Sequence, residues 1–497
     1  MATHLEPRRK SGRALVLGAL AGVLARGPSL ASRTEADGRL IAGGAALMGA
    51  AAGTVAEELV VHLARRIQGG RPAAVAVLGA LGLGGRAWAA RRPGRAPADA
   101  VETASTVVLA ACAAEPVARV ADRAPPLVRL LALASVGRLV ALGTKELVAL
   151  QKRLGEPQDL VKASVTYDYL PTVSVGGASA VPLETLDREG RKFLGLATPA
   201  ARIEEVTGRP ALAPIRVYVG LESASDPAAR ARLALAELER LGAFERSRIL
   251  VACTTGAGFV HPVPVESEEY YCGGDLATVA LQYGNQRSYR SLKAVPAGIE
   301  AYRLLLETIA TRARAPELVL YGESLGAWIG AGALAGPGDV RPARVLLVGP
   351  PHGAASLVAD LRRALPADRL TVVVHPEDPV ANYSGLGLLW RRPPWLPAAR
   401  PPDSRIPRGM RWLPGITFLQ VLFDVKNGTT FPVELGATGH DYRRELPAIA
   451  RDAVGHADAS AELLRAIEEG VQDSARAQAE RERAGRSQST PERSRDG

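Results

Sequence analysis

Two patterns of apolar and polar positions divide the chain. The first third holds long apolar runs separated by short arginine-bearing loops: Ala14–Ala25, Leu40–Ala56, Pro72–Gly85 and Thr103–Ala114. Each is shorter or richer in alanine than the ~20 residues that securely span a bilayer, yet together they predict about four membrane helices. A fifth run, Leu127–Leu150, carries Arg129, Arg138 and Lys145 and reads as an interfacial helix. Gly49 and Gly53 form a GxxxG spacing, which predicts close approach of a neighbouring helix. The competing reading is a soluble alanine-rich bundle, which a mean hydropathy of only +0.04 leaves open.

Beyond residue 214 the runs shorten and alternate with helical periodicity. Arg248–Cys253 (RILVAC), Leu318–Tyr321, Arg344–Val348 (RVLLV) and Leu370–Val374 (LTVVV) read as strands. Strands separated by helices predict an α/β fold. The strand at Leu318 enters Gly322-Glu323-Ser324-Leu325-Gly326, followed by a small-residue helix pattern. A Gly-x-Ser-x-Gly turn between strand and helix is a nucleophile elbow. Its tight backbone demands glycines beside the serine and presents the hydroxyl above the sheet edge. An ordinary glycine-rich turn is the bland alternative, and the strand before the turn and the small residues after it weigh against that.

A nucleophilic serine needs a base and an orienting acid, in the order Ser, acid, His on this type of sheet. The chain has seven histidines, and His4, His62, His261 and His352 precede any suitable acid turn. The run LTVVV leads into HPEDPV, so Asp378 falls in a loop at a strand's C-terminal end, where such sheets keep their chemistry. Glu377, Asp403 and Asp424 are reserve acids. His375 is too close to the strand end to return over Ser324, and His456 falls in an Ala/Asp/Glu-rich helical stretch that reads as surface. His440, in the glycine-rich loop Gly-Ala-Thr-Gly-His-Asp-Tyr, is the expected base. The interval between Asp378 and His440 exceeds what a strand and loop require. Its Trp-, Pro- and Leu-rich composition predicts an inserted cap-like segment. For the oxyanion hole, one donor is expected at the Leu325 N–H, after the nucleophile. The other is expected from the glycine-bearing loop after RILVAC, at Thr255 or Gly256.

Several blocks of the chain, in order, carry a resemblance. They are IRVYVGL (Ile215–Leu221), ALAELERLGAF (Ala234–Phe244), GGDLATVALQY (Gly273–Tyr283), GESLGA (Gly322–Ala327), DPV (Asp378–Val380) with WRRPPWL, GMRWLP (Gly409–Pro414) and Gly-His-Asp-Tyr. From about Pro214 to Tyr442 the chain resembles the α/β-hydrolase family, common in actinobacteria, that carries an N-terminal multi-helix membrane region. The resemblance implies a triad of Ser324, Asp378 and His440, and leaves the natural substrate open.

Composition adds boundaries. A length of 497 residues predicts at least two domains. The divisions expected are 1–150, an all-α membrane-helix domain; 151–213, a connecting segment; 214–456, a catalytic domain of α/β-hydrolase fold; and 457–497, a charged helix (Asp458–Glu482) and a disordered tail from Arg483. The net charge of +10 comes from scattered arginines without interleaved aromatics, which argues against nucleic acid and for an anionic lipid surface. Cys112, Cys253 and Cys272 provide no disulfide framework and no metal spacing. Arg8, Arg9 and Lys10 before the first apolar run resemble a signal peptide, but the further runs favour a first membrane helix with a cytoplasmic N-terminus. Loop arginines divide almost evenly, so the membrane side of the catalytic domain and the oligomeric state stay undetermined. The expectation is a multi-pass protein of a bacterial cell membrane, needing no cofactor or metal. It would be a serine hydrolase of esterase or lipase type, acting on an acyl ester or thioester of a lipid. An acyltransferase to a lipid or sugar hydroxyl, and a non-catalytic membrane interaction protein, are the alternatives.

Overall fold

The computed structural model describes residues 12–31, 33–92, 96–123, 166–286, 291–312, 316–336, 340–397, 404–429 and 439–488. The chain forms two compact units. One combines residues 1–156 with 376–440, and the other combines 157–375 with 441–497.

The first unit begins with α1 (Gly12–Leu24), α2 (Glu35–Ala64), α3 (Gly70–Ala90), α4 (Ala96–Ala113) and α5 (Glu115–Arg123). Thr34 and Asp37 start α2 with a reciprocal capping box that satisfies orphan N–H groups. The GxxxG spacing acts as expected: a Cβ at Gly49 would lie 2.3 Å from the Leu17 carbonyl oxygen, and one at Gly53 2.6 Å from that of Arg13. Only glycine lets α1 and α2 touch backbone to backbone there. Among the described residues, two helices, α2 and α3, are long and apolar enough to cross a membrane. The expectation of about four spans narrows to these two, because α1 has only 13 residues and α4 carries Asp99 and Glu102 in its opening turns. The run Leu127–Leu150 lies outside the described residues.

In the second unit α6 (Arg188–Gly195), capped by Asp187, and α7 (Ala200–Thr207) precede the sheet. The sheet then builds through β1 (Ile215–Val219), α8 (Pro227–Arg240), β2 (Arg248–Cys253), α9 (Pro262–Tyr271), β3 (Leu276–Leu281), α10 (Val295–Ala310), β4 (Glu317–Glu323), α11 (Leu325–Ala335), β5 (Arg344–Val348), α12 (Ala355–Ala364) and β6 (Leu370–Val373). The six strands are all parallel, in the order β1-β3-β2-β4-β5-β6. Every residue of β1, β2 and β3 is buried, as a sheet covered on both faces requires. Arg216 inside β1 is tolerated because Glu269, at 2.6 Å, and the Phe193 carbonyl, at 2.7 Å, satisfy its guanidinium.

Residues 376–440 return to the first unit with α13 (Pro379–Asn382) and α14 (Ile416–Thr429). Asp424 on α14 accepts from Ser29, the Leu30 N–H and Arg33, and Lys426 and Asn427 donate to Asp37. The inserted segment is thereby fastened to the end of the helices where α1 finishes and α2 begins. The second unit closes with α15 (Leu446–Val454) and α16 (Ala461–Gln488). The expected tail is corrected at its start, since α16 continues through Arg483 to Gln488; charged residues suit the outer face of a helix whose Leu463, Ile467 and Val471 enter the sheet's core.

Contact between α16 and α9 includes a titrating link. Glu266 accepts from Ser474, at 2.6 Å, and from Tyr270, at 3.0 Å. Burial, and then the neighbouring charge of Glu269, pushes its carboxyl up to about 7, against the pull of these two donors and Arg216. The folded state therefore holds a proton that the unfolded chain releases near pH 4.3. This contribution is complete at low pH and is lost as pH rises towards about 7. Glu266→Gln should flatten that part of the stability profile; thermal unfolding between pH 5 and 8 reads it, with ~2–4 °C expected per kcal/mol in a unit of this size.

Candidate active site

β4 delivers Ser324 into a turn that only a narrow set of residues can make. Ser324 has φ 56° and ψ −122°, and is the one non-glycine with positive φ among the described residues. Holding a serine there costs ~1–3 kcal/mol, which the surroundings must impose. They do so by contact: a Cβ at Gly322 would lie 2.5 Å from the Gly326 carbonyl oxygen, and one at Gly326 2.2 Å from that of Cys253. The serine N–H donates to Val348 at 2.9 Å, tying the turn to β5. Ser324 keeps 8% exposure, so the elbow is covered rather than open to solvent as its motif suggests.

β2 and β4 run in register up to Cys253 opposite Gly322, which sets the loop after β2 beside the elbow. The Leu325 N–H, first of α11, has no partner within its helix and is available as an anion donor. Of the two expected second donors, Thr255 is corrected: its N–H donates to the Phe259 carbonyl at 2.9 Å. Gly256 remains, packed so closely that a Cβ would strike the Ser291 hydroxyl.

The first unit holds the acid and the expected base together. Asp378 is fully buried and caps α13, with Oδ1 accepting from the N–H groups of Val380, at 2.8 Å, and Ala381, at 3.2 Å. Its Oδ2 lies 2.8 Å from Nδ1 of His440, itself 3% exposed. The two oxygens thus have separate duties, and a carboxylate at Nδ1 leaves Nε2 as the basic nitrogen. A Cβ at Gly439 would lie 2.3 Å from the Glu377 carbonyl, so glycine brings the His440 loop alongside the Asp378 turn.

The reserve residues are engaged elsewhere. Asp424 anchors α14, Glu377 pairs with Arg405 at 3.6 Å, and Asp403 lies outside the described residues. His375 pairs with Glu445 at 2.8 Å and stacks on Tyr442. His261, excluded by chain order, caps α9 and has Glu323, Arg443 and Asp441 as charged neighbours; burial holds its imidazole below the usual value. No periodicity singles it out.

His456 corrects the surface reading. It stacks on Tyr271, and its Nε2 lies 2.8 Å from Arg248 and 3.1 Å from Glu268. Glu268, Cys272 and His456 are a trio whose ligand atoms lie within 4.8 Å of one another. The Arg248 guanidinium already stands among them, 3.1 Å from Glu268, and supplies the positive charge a metal ion would bring. Burial pushes the Cys272 thiol well up, away from the thiolate a metal needs. The trio does not fit a metal. All three cysteines are free thiols.

His456→Ala should lower the free energy of unfolding by ~1–3 kcal/mol through lost buried contacts, with no effect on labelling at Ser324. Gly439→Ala, which drives a Cβ into the Glu377 backbone, should lower both stability and labelling. Paired melting curves and fluorophosphonate labelling rates check both.

A model of the family described as the alpha/beta-hydrolase family matches residues 215–368 and 355–466, a span that includes every strand, the elbow, Asp378 and His440. No curated protein and no solved structure matches the chain.

Proposed function

We propose, because the chain belongs to the alpha/beta-hydrolase family, that it is a membrane-anchored serine hydrolase cleaving an acyl ester or thioester. The observation that carries this reading is the strained backbone of Ser324, a strain of the kind that clusters at active sites. The buried Asp378–His440 pair supports it. Ser324 Oγ would attack the acyl carbonyl carbon as its proton passes to His440 Nε2, with Asp378 holding the Nδ1–H tautomer. The Leu325 and Gly256 N–H groups would receive the oxyanion. Collapse would expel the alcohol or thiol with the proton from His440, and water, entering by the same route, would release the acid. A lipid or sugar hydroxyl in place of water would make the same acyl-enzyme a transferase, and product analysis with an added acceptor alcohol separates the two. Helices α2 and α3 would cross the membrane and keep the site beside lipid substrate.

Ser324→Ala should abolish fluorophosphonate labelling and hydrolysis of short p-nitrophenyl esters with little change in melting. His440→Ala should cost as much, ~10⁴-fold or more, because triad members act as a unit. Unchanged labelling of the serine variant sinks the reading.

A fragment comprising residues 157–497, which keeps the whole sheet unit, tests the support of the base. It would keep Asp378 and His440 but lose the helix ends that hold Asp424, Lys426 and Asn427. It should lose activity even towards a short soluble ester. Wild-type turnover by that fragment would show that the pair stands without the helices.

A further inference from the structure

Among the described residues of α1–α4, charge lies in two layers. Residues 14–25, 40–56, 72–85 and 103–114 contain no Asp, Glu, Lys or Arg. At one end Arg13, Glu57, Arg71 and Glu115 form a buried network, with Arg71 bonding Glu57 at 2.6 Å and Glu115 at 2.9 Å. At the other end Asp37 pairs with Lys426, Arg391 with Asp99 at 3.0 Å, and Arg392 with Glu102 at 3.1 Å. Asp37 and Glu57 are twenty residues apart on one helix. At 1.5 Å per residue that is ~30 Å, the thickness of a bilayer's hydrocarbon core.

The second layer is where the inserted segment docks, and it displays apolar side chains outward. Leu386, in the helical turn Gly385–Leu389, is 63% exposed, and Trp390 after it is 43% exposed. The Trp390 carbonyl accepts from Thr103, in the second turn of α4. Gly85 of α3 packs on Val101 and Ser105, so exposed Trp88, one turn further on, stands level with the start of α4 and with Trp390. Arg86, Arg91, Arg92, Arg408 and Arg411 are exposed at this same end, and the Arg92 guanidinium lies 4.6 Å from the centre of the Trp88 ring. Paired tryptophans, outward leucine and arginines at one level are the composition of a membrane interface.

We propose that the Leu386–Trp390 tip enters the headgroup region of an anionic leaflet beside Trp88, with these arginines against lipid phosphates. This rests on the membrane reading above. The acid–base pair then stands at fixed height over that leaflet: Gly428 of α14 packs against Pro379, Val380 and His440, and α14 is bonded to the same helix ends. The substrate class is an acyl lipid taken from that leaflet.

The test places an environment-sensitive fluorophore, as a noncanonical amino acid, at position 81, 386 or 300 of the full chain in vesicles of zwitterionic and anionic phospholipid. Position 386 should be quenched by shallow nitroxide lipids and shielded from iodide, 81 quenched by deep nitroxides, and 300 open to iodide. If 81 is not quenched from lipid, the membrane reading falls and takes the proposal with it. If 81 is quenched but 386 is open to iodide, the tip proposal alone is overturned. Leu386→Ser with Trp390→Ser should lower hydrolysis of a vesicle-borne long-chain ester ~10-fold and leave a short soluble ester unaffected. Equal loss on both substrates would overturn it.

Discussion

The strand-to-helix turn of the sheet unit depends on one steric constraint, the absence of side chains at Gly322 and Gly326. With those two positions empty, β4 can turn into α11 within a single residue, and that residue must take a left-handed backbone. The same contact sets the proposed oxyanion site, because Gly326 pressed against the Cys253 carbonyl fixes the start of α11 beside the end of β2. Leu325 and the Gly256 loop are neighbours for that reason.

A second constraint operates in the other unit, on Asp378. A fully buried carboxylate must have its oxygens satisfied, and each finds different partners: the α13 N–H groups on one, the His440 ring on the other. Removing the cap would leave the acid free to rotate. Removing the histidine would take away the ring that holds Oδ2. The two side chains therefore fix each other's orientation, while the position of the pair depends on the Gly439 turn and on α14 packed against it.

Much of this was legible in the chain wherever the cause was local. The elbow follows from three residues at fixed spacing, and Asp378 from an Asp-Pro turn after a strand, which is also a helix cap. The close α1–α2 approach follows from Gly49 and Gly53. What pattern could not convey is partnership across distance. Asp424 reads as a spare acid until Ser29, Leu30 and Arg33 are seen around it. His456 reads as surface because its sequence neighbours are polar, whereas its spatial neighbours are Tyr271, Arg248 and Glu268. Thr255 and Gly256 are equivalent by composition, and a single hydrogen bond from Thr255 to Phe259 separates them. That the inserted segment belongs with the N-terminal helices has no local signal at all, since the joining ion pairs link residues nearly the whole chain apart.

Those distant pairs deserve their cost in desolvation. Buried ion pairs seldom add net stability over apolar packing, but removing one partner is strongly destabilising, so they specify one docking position against its neighbours. On α14, Asp424, Lys426 and Asn427 all face the ends of α1 and α2, and one turn along the same helix Gly428 lies against His440. A catalytic base must be held within ~0.5 Å of its working position. Apolar side chains alone could slide α14 along α2 by part of a turn with small loss, whereas three polar anchors cannot shift together without leaving charges buried and unpaired. The polar end of the helical unit thus acts as the datum from which the position of His440 is measured.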